Sequence, residues 1–126
     1  MRTKQQHTPV RWVTLGDVAA RRGDPDGAPT GAWLYEQLRD RRLIVVQDGD
    51  SLRVPAFMLT ADGQPRPELR QLLHELRAAG VDGRSAASWL NSPSSLLSGE
   101  VPEQVARTDP ARAARAAARF AAPGEA

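Results

Sequence analysis

Residues 14–55 have the sequence TLGDVAARRGDPDGAPTGAWLYEQLRDRRLIVVQDGDSLRVP, and this segment organises the rest of the chain. Its centre, residues 30–42, places apolar side chains at helical spacing. Thr30 suits the start of a helix, because its side-chain oxygen can accept hydrogen bonds from the free amides of the first turn. We therefore predict a helix over residues 30–42, capped by Thr30, in which three apolar side chains face the core: Leu34, Tyr35 and Leu38.

A second side of the predicted helix carries side chains that can stack, donate to base edges or neutralise phosphate. These are Thr30, Trp33, Gln37 and Arg41, which recur every three or four residues. An aromatic side chain in such a row indicates a contact surface, and we predict that it enters the major groove of double-stranded DNA. This hypothesis requires the side chains around Gln37 to face solvent.

Two alternatives remain open at this helix, because an error of one turn in its phase exchanges the two faces. In the first, Trp33 belongs to the core. In the second, Arg39 pairs with Glu36 instead of contacting phosphate.

The elements on either side of this helix complete a recognisable order. Thr14 precedes a short amphipathic helix that stops at Gly23. Downstream, two apolar segments flank the turn-forming residues 48–51 and predict an antiparallel hairpin. Helix, turn, helix and hairpin is the order of a winged helix-turn-helix, although residues 23–29 make a longer connection than the usual short turn.

Arginine side chains near these elements are the candidates for phosphate contacts, because guanidinium groups bind phosphate in a bidentate manner. In the hairpin only Arg53 contributes, since Asp48 and Asp50 at the tip would repel phosphate. The wing is therefore predicted to be mainly structural. The complete set of predicted DNA-binding residues is Arg21, Arg22, Thr30, Trp33, Gln37, Arg39, Arg41, Arg42 and Arg53.

The composition and charge of the chain argue against several classes of function. The 126 residues carry a net charge of only +2, so any basic surface must come from uneven placement of charge. The absence of cysteine removes disulfides and thiolate chemistry, and two histidines are too few for a histidine-based metal cluster. Neither a phosphate-binding glycine loop nor a nucleophile elbow is present. We expect no enzymatic activity, no catalytic residues, no cofactor and no metal.

The chain divides into three predicted parts: a flexible N-terminal arm over residues 1–13, the winged helix-turn-helix over residues 14–60, and a small helical C-terminal domain over residues 61–126. The predicted fold class is thus mainly α with one β-hairpin. No segment has the apolar length of a membrane span, and the first ten residues are too polar for a signal peptide. We expect a cytoplasmic, nucleoid-associated protein that does not enter membranes.

The C-terminal half has a strong leucine pattern. Helical spacing between residues 67 and 80 predicts an amphipathic helix that buries Leu69, Leu72, Leu73 and Leu76. A second helix is predicted over residues 83–91. The last helix is predicted from Pro110 to about Ala122, with Asp109 as its cap, an apolar alanine side, and an arginine side formed by Arg112, Arg115 and Arg119.

Two resemblances to known families follow from these residues. The pattern Trp89-Leu90-x-x-Pro93-x-x-x-Leu97-x-Gly99-x-x-Pro102, followed by Thr108-Asp109-Pro110, is similar to the C-terminal toxin-binding domain of Xre/MbcA/ParS-type antitoxins. Over residues 14–122, the order of elements resembles a family of small actinobacterial winged helix-turn-helix DNA-binding proteins, one mycobacterial member of which is a serine/threonine-kinase substrate. The second resemblance implies DNA binding by the N-terminal half and helical support or dimerisation by the C-terminal half.

Two functional hypotheses therefore stand side by side. The first is a DNA-binding transcriptional regulator that uses the helix over residues 30–42. The alternative is an antitoxin-like protein-binding module, in which the segment from Trp89 onward covers a toxin. A homodimer is compatible with either hypothesis, because the alanine side of the last helix permits close packing between protomers.

Overall fold

The computed structural model describes residues 9–122, which form six α-helices and a three-stranded antiparallel sheet. In chain order the elements are β1 (Trp12–Thr14), α1 (Leu15–Arg21), α2 (Ala28–Arg39), β2 (Val46–Asp48), β3 (Ser51–Pro55), α3 (Arg70–Ala78), α4 (Gly83–Leu90), α5 (Pro102–Thr108) and α6 (Pro110–Ala121). Short 3₁₀ turns lie at Ala56–Met58, Pro67–Leu69 and Ser95–Leu97. The predominance of helix and the β2–β3 hairpin agree with the prediction, but the three-stranded sheet makes the fold mixed α and β.

The sheet has one more strand than the sequence indicated. Strands β2 and β3 form the predicted hairpin, and β1 pairs with the other edge of β3, so that Val13 lies opposite Val54. Both valines are buried. Residues 12 and 13 are therefore ordered in the sheet and do not belong to a flexible arm, which corrects that part of the prediction. Residues 1–8 of the predicted arm lie outside the described residues.

Helix α1 begins as predicted, directly after Thr14. The Thr14 hydroxyl accepts a hydrogen bond from the Asp17 amide at 3.2 Å, and the Asp17 carboxylate accepts one from the Thr14 amide at 3.0 Å. This reciprocal pair is a capping box, which satisfies free amides at the helix start. Because the Thr14 amide and hydroxyl donate to the carboxylate, the pKa of Asp17 lies below its ordinary value.

The start of α2 differs from the prediction, because Asp24 has taken the role assigned to Thr30. The Asp24 carboxylate accepts hydrogen bonds from the Thr30 amide at 2.9 Å and from the Thr30 hydroxyl at 2.7 Å. The helix begins two residues earlier, at Ala28, after Gly27 in the left-handed conformation at a φ of 79°. Thr30 thus lies inside the first turn, and its side chain points into the protein with only 1% exposure.

The C-terminal helices enclose most of the core. Helix α3 buries Leu72, Leu73 and Leu76, and the fourth predicted leucine, Leu69, is buried in the 3₁₀ turn before it. Helix α6 packs its alanine side against α3. Alanines 113, 116 and 117 are buried, so the two helix backbones can approach closely. The buried apolar residues of both halves of the chain, from Val13 to Ala117, belong to a single cluster.

A buried arginine joins the two halves. Arg66 follows the hairpin exit and pairs with Glu103 on α5 at 2.7 Å and with Glu68 at 2.9 Å. Its guanidinium also donates to the backbone oxygens of Phe57 and Glu103, each at 2.8 Å. Burial raises the pKa of Glu68, but the hydrogen bonds from its own amide and from Arg66 outweigh that effect and hold the pKa below its usual range.

We expect Arg66→Met to lower the free energy of unfolding by about 3–5 kcal/mol, because it leaves the buried Glu103 carboxylate without its closest partner. Urea unfolding measures this loss. The double variant Arg66→Met with Glu103→Leu should lose less than the sum of the two single variants, since both charges are then absent together. Strict additivity would show that the two charges do not stabilise each other.

Acid should weaken the start of α2. The Thr30 hydroxyl and amide keep the pKa of Asp24 below its ordinary value, so the folded state holds this proton less tightly than the unfolded state does. The resulting stabilisation is complete above the unfolded pKa of about 3.9 and is lost as the pH falls through the lower folded pKa. The stability difference between the wild type and Asp24→Ala, measured by urea unfolding from pH 7 to pH 2.5, should therefore shrink in acid. A constant difference would contradict this assignment.

Candidate nucleic-acid interface

The predicted DNA-reading side of α2 is not a free surface. Gln37 is 5% exposed and Thr30 is 1% exposed, so the prediction that both face solvent is wrong. Thr30 is held by Asp24, as described above. Gln37 lies at a cleft whose opposite wall comes from residues 64–70, a segment that the sequence treated only as a joint between the two halves.

Trp33 is half-buried and packs against the core, which supports the alternative that the sequence left open. The Arg22 guanidinium lies 3.7 Å from the centroid of the Trp33 ring, within the range of a cation–π contact. Trp33 therefore supports the end of α1 and the wall of the cleft. The Arg22 guanidinium occupies one face of its ring.

Arg21 and Arg22, both predicted to contact phosphate, are half-buried against the turn that follows the hairpin. Their guanidinium groups donate to the backbone oxygens of Thr60 and Gly63, each at 3.5 Å. A β-carbon at position 63 would lie only 2.7 Å from the Arg22 Cγ, which is too close for two carbon atoms. Glycine, which has no β-carbon, avoids this clash. Both arginines hold this turn in place, and their charges are partly committed to it.

The outer side of α2 carries a different set of side chains. Ala28, Ala32, Tyr35, Glu36 and Arg39 are exposed and lie on one face, which we call the outer face. Tyr35 is 55% exposed, so its predicted place in the core is wrong. The Arg39 side chain is 72% exposed, and its nearest acid is Asp40 at 3.3 Å, not Glu36.

The end of α2 is a left-handed turn built on an arginine. The Arg42 amide donates to the Gln37 oxygen at 2.9 Å and the Arg41 amide to the Leu38 oxygen at 3.2 Å, which is the hydrogen-bond pattern of a Schellman motif. Arg41 has a φ of 57°, a conformation that usually belongs to glycine. The helix therefore ends at Arg39 and not at Arg42, and the side chains of Arg41 and Arg42 are exposed.

The hairpin adds little positive charge to this surface. Arg53 is half-buried on β3 and points toward Asp48, with 3.9 Å between Nη2 and Oδ2. Asp48 and Asp50 are exposed at the tip. Arg53 is therefore paired within the hairpin, which weakens its predicted role in binding phosphate.

Of the nine predicted DNA-binding residues, the structure leaves three arginines clearly exposed at the end of α2: Arg39, Arg41 and Arg42. Within residues 9–122, neither Arg41 nor Arg42 forms an ion pair. Tyr35 is a surface residue that the helical spacing alone did not identify, because an aromatic next to Leu34 in the chain can lie on the buried or the exposed side of a helix.

The C-terminal half has an exposed aromatic pair. Trp89 on α4 stacks on Phe120 of α6, with 5.0 Å between ring centroids and 19° between ring planes. Phe120 is 42% exposed. The pair closes the contact between α4 and the end of α6 and also presents an apolar patch to solvent.

Comparisons with known proteins do not assign a function. A scan against protein-family models finds no match, and searches of curated proteins and of solved structures find no significant similarity. In the part of the chain that the structure describes, no helix combines the length and apolar character needed to cross a bilayer, and no three potential metal ligands lie together.

Replacing Arg41 with glycine should stabilise the protein. The left-handed conformation at this position costs a non-glycine residue about 1 kcal/mol, and Arg41→Gly removes that cost. We expect a higher midpoint of thermal unfolding, measured by circular dichroism. Arg41→Ala is the matched control, because it removes the charge and keeps the strain. If Arg41→Gly were no more stable than Arg41→Ala, the arginine would not be strained.

Proposed function

We propose that the chain binds duplex DNA through the outer face of α2 and the arginines that follow it. The order of α1, α2 and the β2–β3 hairpin, with β1 added to the sheet, supports a winged helix-turn-helix. The resemblance over residues 14–122 to small DNA-binding proteins of actinobacteria points the same way. Such a role would make the protein a transcriptional regulator at the nucleoid.

The outer face belongs to a single α-helix, which is the kind of element that the major groove of DNA admits. The major groove is about 12 Å wide and admits one α-helix. Ala28 and Ala32 are small and exposed, so the first half of α2 could approach base edges closely. Tyr35 offers a ring and a hydroxyl one turn further along, and Arg39 follows at the next turn.

The conformation of Arg41 is the observation that carries the proposal. A glycine at this position would end the helix with less strain, yet the chain has an exposed arginine there. Strained residues occur preferentially at functional sites, where the side chain compensates for its cost. Arg41 and Arg42 would then contact phosphates beside the groove that α2 occupies.

A structural explanation for these cations also exists. Positive side chains near a helix C-terminus interact favourably with the helix dipole, typically by about 0.3–1 kcal/mol. That explanation covers Arg39, Arg41 and Arg42 equally, since all three lie at the end of α2. It gives no reason for Arg41 to occupy the one position where glycine is preferred. The two explanations therefore differ at Arg41.

A second candidate function is binding of a protein partner through the C-terminal half. The observation that favours it is the exposed Phe120 ring on Trp89, within the segment that resembles a toxin-binding domain. In that case Phe120→Ala should reduce co-purification with the product of a neighbouring toxin gene. Because the ring is partly exposed, this variant is gentler than truncation at Trp89, which would remove α5 and α6 from the core.

Binding to duplex DNA can be measured by fluorescence anisotropy with labelled genomic fragments. We expect Arg41→Gly and Arg41→Ala each to weaken binding about threefold to tenfold, as for the loss of one phosphate contact, although Arg41→Gly is the more stable protein. With two or three phosphates neutralised, log affinity should fall with log salt at a slope of roughly −2 to −3.

Arg115→Ala is the control, because it removes one exposed arginine from α6, away from the proposed interface. Its affinity for DNA should match that of the wild type. Equal losses at Arg41 and Arg115 would indicate only non-specific charge attraction. Unchanged binding in both Arg41 variants would refute the proposed interface.

A further inference from the structure

The cleft between α2 and residues 64–70 has the size and lining of a small-molecule site. Its volume is about 290 Å³, near the lower end of ligand-binding pockets. Gln37 and Trp33 of α2 line it, together with Pro65 and Pro67 from the segment before α3.

Gln37 is the feature that points to a ligand. The residue is only 5% exposed, and it lines the cleft. Within the described residues, the side-chain amide makes no hydrogen bond to the protein, and its oxygen and nitrogen are not among the fully buried polar atoms that lack a partner. The amide is therefore open to the cleft and can pair with a group that enters it.

The charge of the cleft favours an anion. Arg66 also lines it, but its guanidinium is committed to Glu68, Glu103 and backbone oxygens. Arg42 and Arg70 are exposed, line the cleft and form no ion pair within residues 9–122. A carboxylate placed between them would gain charge-assisted hydrogen bonds.

The walls favour a planar group. Trp33 presents an indole, and its ring already contacts the Arg22 guanidinium. The rings of Pro65 and Pro67 are rigid and apolar. A flat ring would contact both sides while a polar substituent reaches the Gln37 amide.

We propose that this cleft binds a small aromatic carboxylate, with the acid group held by Arg42 and Arg70, the ring beside Trp33, and a polar ring substituent bonded to the Gln37 amide. The inference goes beyond DNA binding and does not depend on it. The ligand class comes from the chemistry of the lining, and its test requires no DNA.

The test is isothermal titration calorimetry of the full chain with salicylate, which carries a carboxylate, a flat ring and a hydroxyl. Cyclohexanecarboxylate has the same charge without a flat ring, and salicylamide has the flat ring without the charge. We expect one salicylate per chain, with affinity at least about tenfold higher than for either control compound. Similar affinities for the three compounds, or no binding of salicylate at millimolar concentration, would overturn the proposal.

Two variants locate the binding. Arg70→Gln removes a cation at the rim, and Gln37→Leu replaces the buried amide with an apolar side chain of similar size. Each should weaken salicylate binding about tenfold or more. Arg115→Gln is the control for charge and should leave the affinity unchanged.

Gln37→Leu also separates a ligand contact from a structural contact. Because the amide makes no hydrogen bond within the described residues, its replacement by an apolar side chain of similar size should change the free energy of unfolding little. A marked loss of stability would show that the amide serves the fold and would overturn its assigned role. If both Gln37→Leu and Arg70→Gln bound salicylate as tightly as the wild type, salicylate would bind outside this cleft. That result would also overturn the proposal.

Discussion

The buried guanidinium of Arg66 connects the exit of the hairpin with the C-terminal helices, through the Phe57 oxygen on one side and the Glu103 carboxylate on the other. A charged group in a protein interior is costly unless hydrogen bonds surround it, and Arg66 is surrounded by two carboxylates and two backbone oxygens. These partners come from the hairpin exit, from the segment before α3 and from α5. Residues from the segment 64–70 that contains Arg66 line the cleft together with Trp33 and Gln37 of α2.

This arrangement explains which side of α2 is available to a partner. One side packs on the core through Leu34, a second side faces the cleft through Gln37, and the third side carries Tyr35 and Arg39 in solvent. A DNA duplex could reach only the third side without rearrangement of the joint. Arg41, whose left-handed conformation terminates α2, lies at the end of this third side. The residue that ends the helix is therefore also the candidate phosphate contact.

Local sequence signals predicted the elements whose stabilising contacts are close in the chain. The Thr14 cap depends on Asp17, the hairpin on its turn, and the leucine pattern of α3 on helical spacing alone. The errors occurred where a distant or competing group decided the outcome. Asp24 displaced Thr30 as the cap of α2. Gln37 is buried beside a cleft that it shares with residues of the distant segment 64–70. Strand β1 is three residues long, too short to show a pattern before its partner β3 is known.

The chain contains no cysteine, so a single introduced thiol can report the exposure of one chosen position. The most direct measurement compares thiol labelling rates of Tyr35→Cys and Gln37→Cys, each with and without a saturating DNA duplex. We predict rapid labelling at position 35 that the duplex slows at least about tenfold, and slow labelling at position 37 that the duplex does not change. Rapid labelling at position 37, or labelling at position 35 that the bound duplex leaves unchanged, would contradict the account.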